Sequence, residues 1–218
     1  MPARISAADI ENELRRLGTF LRDERTFTLF GGCSMSVQGF KDTTKDADAI
    51  VEPPTRYGDL QEDLGKAGFA WLENEAMRPY ELPAQRREVG GWDPYWRGEF
   101  TIDLFHPRRI FDQFSFSPAM RTRATSWFNS GRLQVRLADA STVFLLKSIT
   151  GRWRNEPGRD IEDLQTLLDR GVVDVDWLHE EWRRQVAHVK DREQATVLAR
   201  EALEELRRRG YSVAWTPS

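Results

Sequence analysis

One cysteine in 218 residues excludes an intrachain disulfide, and three scattered histidines give no zinc-site spacing. No apolar run approaches the ~20 residues of a membrane span. The first residues, Met1 to Ile5, lack the apolar segment of a secretory signal. A cytoplasmic protein with no membrane partner is therefore expected. A strong charge of one sign is also missing. The formal net charge of −3 gives the whole molecule no electrostatic pull on nucleic acid, although a local basic groove is compatible with it. Internal repeats and low-complexity tracts are absent. Lysine is scarce beside arginine, as a GC-rich genome would produce, so each lysine carries more information than each arginine.

What is present is an ordinary globular composition, 39% hydrophobic and 31% charged, long enough for one large or two small domains. Its centre is Phe30-Gly31-Gly32-Cys33-Ser34-Met35-Ser36, followed by Lys45-Asp46-Ala47-Asp48-Ala49-Ile50-Val51. Thr26 to Phe30 is rich in β-formers and reads as a strand. Two glycines then allow a sharp turn and a close backbone approach to a ligand. The small residues after them can open a helix whose first N–H groups point at a phosphate. Asp46 and Asp48, two apart in an apolar run, share one face of a strand. Like carboxylates side by side repel unless a cation sits between them. Hard oxygen ligands that leave positions open for substrate phosphates suit Mg²⁺. The plain alternative is a Gly-Gly hairpin beside two solvated aspartates.

The rest of the chain alternates strand and helix before becoming helical. Ser6 with Asp9 forms a capping-box pattern ahead of Ile10, Leu14, Leu17 and Leu21, which predicts a helix over 7–22. Strands are expected at 26–30, 47–52, 69–72, 99–105 and 132–137, with helices near 34–39 and 56–67. In Glu99 to Phe105 the polar Thr101 and Asp103 share a parity, which places Asp103 on a polar strand face where a third metal carboxylate would stand. Residues 74–98 read as an irregular, aromatic-rich loop, and 107–131 as an Arg-, Phe- and Ser-rich stretch without clear periodicity. From Asp139 the pattern is helical. Asp139 or Ser141 caps a helix to about Gly151 that carries Lys147. Others open at 159, at Asp176 and near 191.

A glycine pair, a variable spacer and Asp-x-Asp resemble the first motif of the nucleotidyltransferase superfamily. Lys147, then Arg152, Arg154 and Arg159-Asp160-x-x-Asp163-Leu164, resemble the second half of the pattern in AbiEii-like and MenT-like nucleotidyltransferase toxins. Together these motifs span residues 26–170. The resemblance implies an α/β (α+β) fold: a small mixed sheet with flanking helices over 1–138, then a helical region over 139–218 that completes the active site. It implies a nucleoside triphosphate as donor, Mg²⁺ (or Mn²⁺) held by Asp46, Asp48 and Asp103, and phosphates cradled by Gly31, Gly32 and Ser34. Lys147 would neutralise the triphosphate and Asp160 would pair with that lysine or with substrate-bound metal. Lys147→Ala is then expected to destroy transfer and leave the fold intact. The implied acceptor is a tRNA end or a protein hydroxyl, with a neutralising antitoxin as partner. The alternatives are a small-molecule, antibiotic-type nucleotidyltransferase and a catalytically weak nucleotide-binding or antitoxin-like relative. Cys33 departs from the Thr or Ser common at that position. A thiol serves phosphate poorly, so Ser34 or backbone N–H groups would have to replace it.

Overall fold

A computed structural model describes residues 4–53, 57–71, 92–108, 110–111, 114–156, 158, 160–189 and 191–217. Leu72, the expected loop from Asn74 to residue 91, Arg109, Pro157 and Arg159 lie outside them. The capping box forms: Ser6 Oγ accepts from the Asp9 N–H at 3.2 Å, and Asp9 Oδ2 accepts from the Ser6 N–H at 2.8 Å. Helix α1 covers Ala7–Gly18 and buries Ile10, Leu14 and Leu17. It stops short of Leu21, which still reaches the same core from beyond the helix end.

Seven strands form one mixed sheet: β1 (Arg25–Phe30), β2 (Ala47–Glu52), β3 (Ala70–Trp71), β4 (Trp92–Arg97), β5 (Phe100–Phe105), β6 (Thr125–Ser130) and β7 (Leu133–Leu137). Their order is β3-β4-β5-β2-β1-β7-β6. The β1–β7 and β2–β5 pairs are parallel and the rest antiparallel. Strand β4 replaces the end of the expected irregular loop, because its aromatic residues pack well on a pleated surface. The stretch without periodicity contains α4 (Pro118–Arg123), capped by Ser117, and β6.

The central strands β1, β2 and β5 are buried on both faces, which explains why they read as nearly continuous apolar runs. Phe27, Leu29, Ala47, Ala49, Val51, Ile102 and Leu104 face a core closed by α1 and by α3 (Tyr57–Lys66). The opposite parity sends Phe30, Ile50 and Phe105 into a second core. This one is shared with α5 (Ala140–Ser148), α6 (Ile161–Asp169), α7 (Val175–Val186) and α8 (Arg192–Arg208). Apolar packing is thus continuous across residue 139. Asp139 caps α5, whose nine residues are all buried, and α7 is capped by Asp174 instead of the expected Asp176. Among the described residues no helix is long and apolar enough to cross a membrane.

Candidate active site

The site lies where the central strands end and the helical region begins. The chain leaves β1 at Phe30 and turns through Gly31, at φ +63, directly into α2 (Gly31–Val37). Only glycine fits there. A Cβ on Gly31 would stand 2.5 Å from Asp48 Oδ2, and one on Gly32 would stand 2.7 Å from Thr44 Oγ1. Gly31 therefore lets the backbone press against the acidic strand, and Gly32 against Thr44 just ahead of it.

Strand register brings the carboxylates together. Asp48 pairs with Phe30 of β1 on one side and with Asp103 of β5 on the other. Paired residues of neighbouring strands project to the same face, so Asp48 and Asp103 share it with Ile50 and Phe105. Asp46 precedes β2 by one residue and is buried. Asp46 and Asp48 line a cleft of about 500 Å³ together with Gly32, Lys147, Arg152 and Asp160. Asp103 is 1% exposed and does not line it. The face expected to be polar is covered instead, because the helical half packs on it. Among the described residues no three His, Cys, Asp or Glu side chains stand close enough to form a ready-made metal shell.

The cleft's other wall is an ion-paired cluster. Lys147, in the last turn of α5, places Nζ 2.6 Å from Asp160 Oδ1 and 2.7 Å from Asp163 Oδ2. Arg152, in the 3-10 turn Arg152–Arg154, grips Asp160 with two donors, Nε at 2.6 Å and Nη2 at 2.7 Å. Thr150 Oγ1 donates to Asp160 Oδ2 at 2.8 Å. Lys41, from the segment between α2 and β2, adds a second cation to Asp163 at 3.0 Å. Asp160 is buried at the mouth of α6 with φ at +60, a backbone state that costs a non-glycine residue about 1–3 kcal/mol and persists only where surroundings enforce it. The four hydrogen bonds that its carboxylate accepts are that enforcement. Burial alone would raise the Asp160 carboxyl, but Arg152 and Lys147 outweigh it and hold the group far below the usual carboxylate range. Burial likewise opposes the charge on Lys147, yet Asp160 and Asp163 keep its ammonium above its ordinary value. Both groups stay ionised at neutral pH.

Several expected roles shift. Ser34 does not line the cleft: its hydroxyl donates to the Ala138 carbonyl at 3.0 Å and accepts from Gln38 Nε2 at 2.8 Å. Cys33 points into the core on the far side of the sheet, where its thiol donates to the Phe30 carbonyl at 2.9 Å and accepts from the Asp48 N–H at 3.3 Å. Burial, reinforced by Asp48, pushes that thiol well up, so it remains protonated. The departure at Cys33 thus concerns strand–helix packing. Arg121 and Arg123, in the stretch without periodicity, pair with Glu52 and with Asp139 and Asp174. Lys41 and Thr44 are cleft residues that pattern reading passes over. The only available signal was that lysines are rare here and that one falls between the two halves of the first motif.

No family model matches the sequence, and no curated protein matches it. Among solved structures, the chain is similar to an antigenic nucleotidyltransferase-like protein from Paracoccidioides brasiliensis. That match has 13% identity and a TM-score of 0.44, and covers 77% of this chain and 79% of that one. It is also similar to ANT(2″)-Ia in complex with adenylyl-2″-tobramycin, at 13% identity and TM-score 0.48 over 94% of this chain and 98% of that one. The solution structure of the antibiotic-resistance factor ANT(2″)-Ia gives 12% identity and 0.47, with 93% and 96% covered.

Proposed function

We propose that this chain is a nucleotidyltransferase that moves a nucleotide from a nucleoside triphosphate to an acceptor hydroxyl. The observation that carries the reading is the register of Asp48 against Asp103, with Asp46 two residues earlier and the Gly31-Gly32 turn pressed against Asp48. Paired carboxylates beside an open backbone turn suit a hard cation and the phosphates it carries. Mg²⁺ usually takes one or two protein carboxylates and completes its shell with water and substrate phosphate. Asp46 and Asp48 on the cleft wall fit that demand without a closed three-residue shell, with Asp103 as the buried third member of the set. When bound, such an ion would neutralise triphosphate charge and acidify the acceptor hydroxyl.

The chain's own groups account for the remaining chemistry. The acceptor oxygen attacks the α-phosphorus, the bond to the β-phosphate oxygen breaks, and pyrophosphate leaves. The hydroxyl proton passes to one of the two cleft carboxylates, Asp46 or Asp48. Lys147 is pre-positioned by Asp160 and Asp163, so no side-chain freedom is lost when it meets the negative charge of the triphosphate. Gly31 and Gly32 bring backbone close to the phosphates, and Asp160 acts through Lys147 as a positioning residue.

The test is incubation of the protein with each labelled triphosphate, Mg²⁺ and total cellular RNA, in parallel with Asp48→Asn. Label should pass to a hydroxyl-bearing acceptor with the natural protein and not with the variant. Calorimetry should show triphosphate binding that requires a divalent cation. Transfer that survives Asp48→Asn, or equal affinity with and without Mg²⁺, would refute the reading. Label on RNA or protein, together with toxicity on expression relieved by a neighbouring gene, identifies a toxin. Label on a small molecule identifies an antibiotic-type enzyme.

A further inference from the structure

Lys41 belongs to no motif, yet it occupies a singular place. Its Nζ lies 3.0 Å from Asp163 Oδ1 and 3.4 Å from Asp163 Oδ2. It also stands 3.6 Å from the point where a Cβ on Gly32 would be. One ammonium thus touches the α6 side of the cleft and overhangs the glycine turn on the sheet side. Asp163 is already bound by Lys147 at 2.7 Å, so Lys41 is the second cation on a single carboxylate. In the ion-paired cluster three cations, Lys41, Lys147 and Arg152, face two carboxylates, Asp160 and Asp163. Lys147 alone bridges both carboxylates, so Asp163 keeps a cation without Lys41. Lys41 is its most solvent-accessible cation, at 31% side-chain exposure against 5% for Lys147 and 23% for Arg152.

We propose that Lys41 is a phosphate-binding residue, parked on Asp163 and poised to bond the pyrophosphate portion of a bound triphosphate across Gly32. A compact ammonium on a flexible stem suits a multiply charged, freely rotating phosphate. The exchange costs the protein little, because Asp163 keeps Lys147 when Lys41 turns away. Gly32 lines the same cleft as Lys41, so phosphate oxygens held there would lie beside its backbone. This assignment rests on the reading of the cleft as a triphosphate site, and it names the residue that recognises the leaving group.

Calorimetry with inorganic pyrophosphate and Mg²⁺ tests it on the natural protein, Lys41→Gln and Lys41→Arg. Lys41→Gln should weaken pyrophosphate binding about tenfold or more, the effect of losing one charge-assisted hydrogen bond. Lys41→Arg should restore most of it. The KM for triphosphate should rise by a similar factor, with a smaller change in kcat. Thermal denaturation checks that the partly exposed pair with Asp163 is not what holds the fold. Unchanged pyrophosphate affinity in Lys41→Gln, or no pyrophosphate binding by the natural protein, would overturn the assignment. If the natural protein transfers nucleotide while Lys41→Gln matches it in both affinity and KM, Lys41 alone is misassigned. If pyrophosphate affinity falls as expected but no triphosphate is turned over, the phosphate site stands and the transferase reading fails.

Discussion

Asp160→Asn is the substitution that the structure makes most informative. Asparagine is nearly isosteric, so the change removes a charge and almost no volume. The carboxylate it replaces is 3% exposed and receives bonds from Lys147, from two nitrogens of Arg152 and from Thr150. Afterwards Lys147 keeps only Asp163, and Arg152 faces a neutral amide that must also turn its own donors away. Removing one partner of a buried ion pair costs about 3–5 kcal/mol, because the charge left behind stays desolvated. For a chain of this size that corresponds to a fall of about 6–20 °C in Tm. Urea unfolding and thermal circular dichroism measure it directly. The deficit should also depend on pH in a defined way. Asp160 titrates lower folded than unfolded, so its stabilisation is complete above the unfolded value near 3.9 and is lost as pH falls toward the folded one. Lys147 is raised, so its share persists up to its unfolded value near 10.4 and is lost only as pH climbs through the folded one. The gap between natural protein and variant should therefore be level from about pH 5 to 10 and narrow in acid. A variant within about 1 kcal/mol of the natural protein at pH 7 would refute the cluster as the keystone of this wall, since changes that small are typical of surface positions. The same burial revises the expectation for Lys147→Ala. That change leaves two carboxylates underfilled in a covered site, so it should damage the fold as well as transfer.

The architecture was legible wherever one residue pattern decides one local structure. The capping box at Ser6, the strands at 25–30 and 47–52, and the buried helix after Asp139 follow from caps, β-formers and apolar spacing. The pairing of Asp48 with Asp103 was anticipated only as shared parity. That β5 lies beside β2 is a matter of strand order, which alternation within a strand does not encode. Burial of Asp103 was not legible for the same reason, because parity cannot show that helices from residues 140–208 cover the face it identifies. Ser34 was misplaced by composition, since a small hydroxyl beside two glycines serves a phosphate or a neighbouring carbonyl equally well. The difference depends on where Ala138 lies, 104 positions away. Lys41 was passed over because its partner, Asp163, is 122 residues distant and nothing local distinguishes it from a surface lysine.

Two further substitutions separate the roles of the first motif. Gly31→Ala forces an L-residue into φ +63 and sets its Cβ 2.5 Å from Asp48 Oδ2, so the carboxylate must turn aside. Backbone strain should cost about 1–2 kcal/mol in urea unfolding. Transfer should fall about a hundredfold, the penalty of displacing a site group by an ångström. Unchanged transfer would show that Asp48 does not need its present position. At Cys33 the expectation is the reverse. The side chain lies in the core beneath the sheet, away from the cleft, and binds the Phe30 carbonyl and the Asp48 N–H. Serine offers a donor and an acceptor in the same place, whereas alanine leaves those buried groups without the thiol. Cys33→Ala should therefore lose about 1–3 kcal/mol, Cys33→Ser should lose less, and triphosphate KM should hold in both once the fold is intact. A large rise in KM for Cys33→Ser, at unchanged stability, would place the thiol on the phosphate and reverse the orientation of α2 against the sheet.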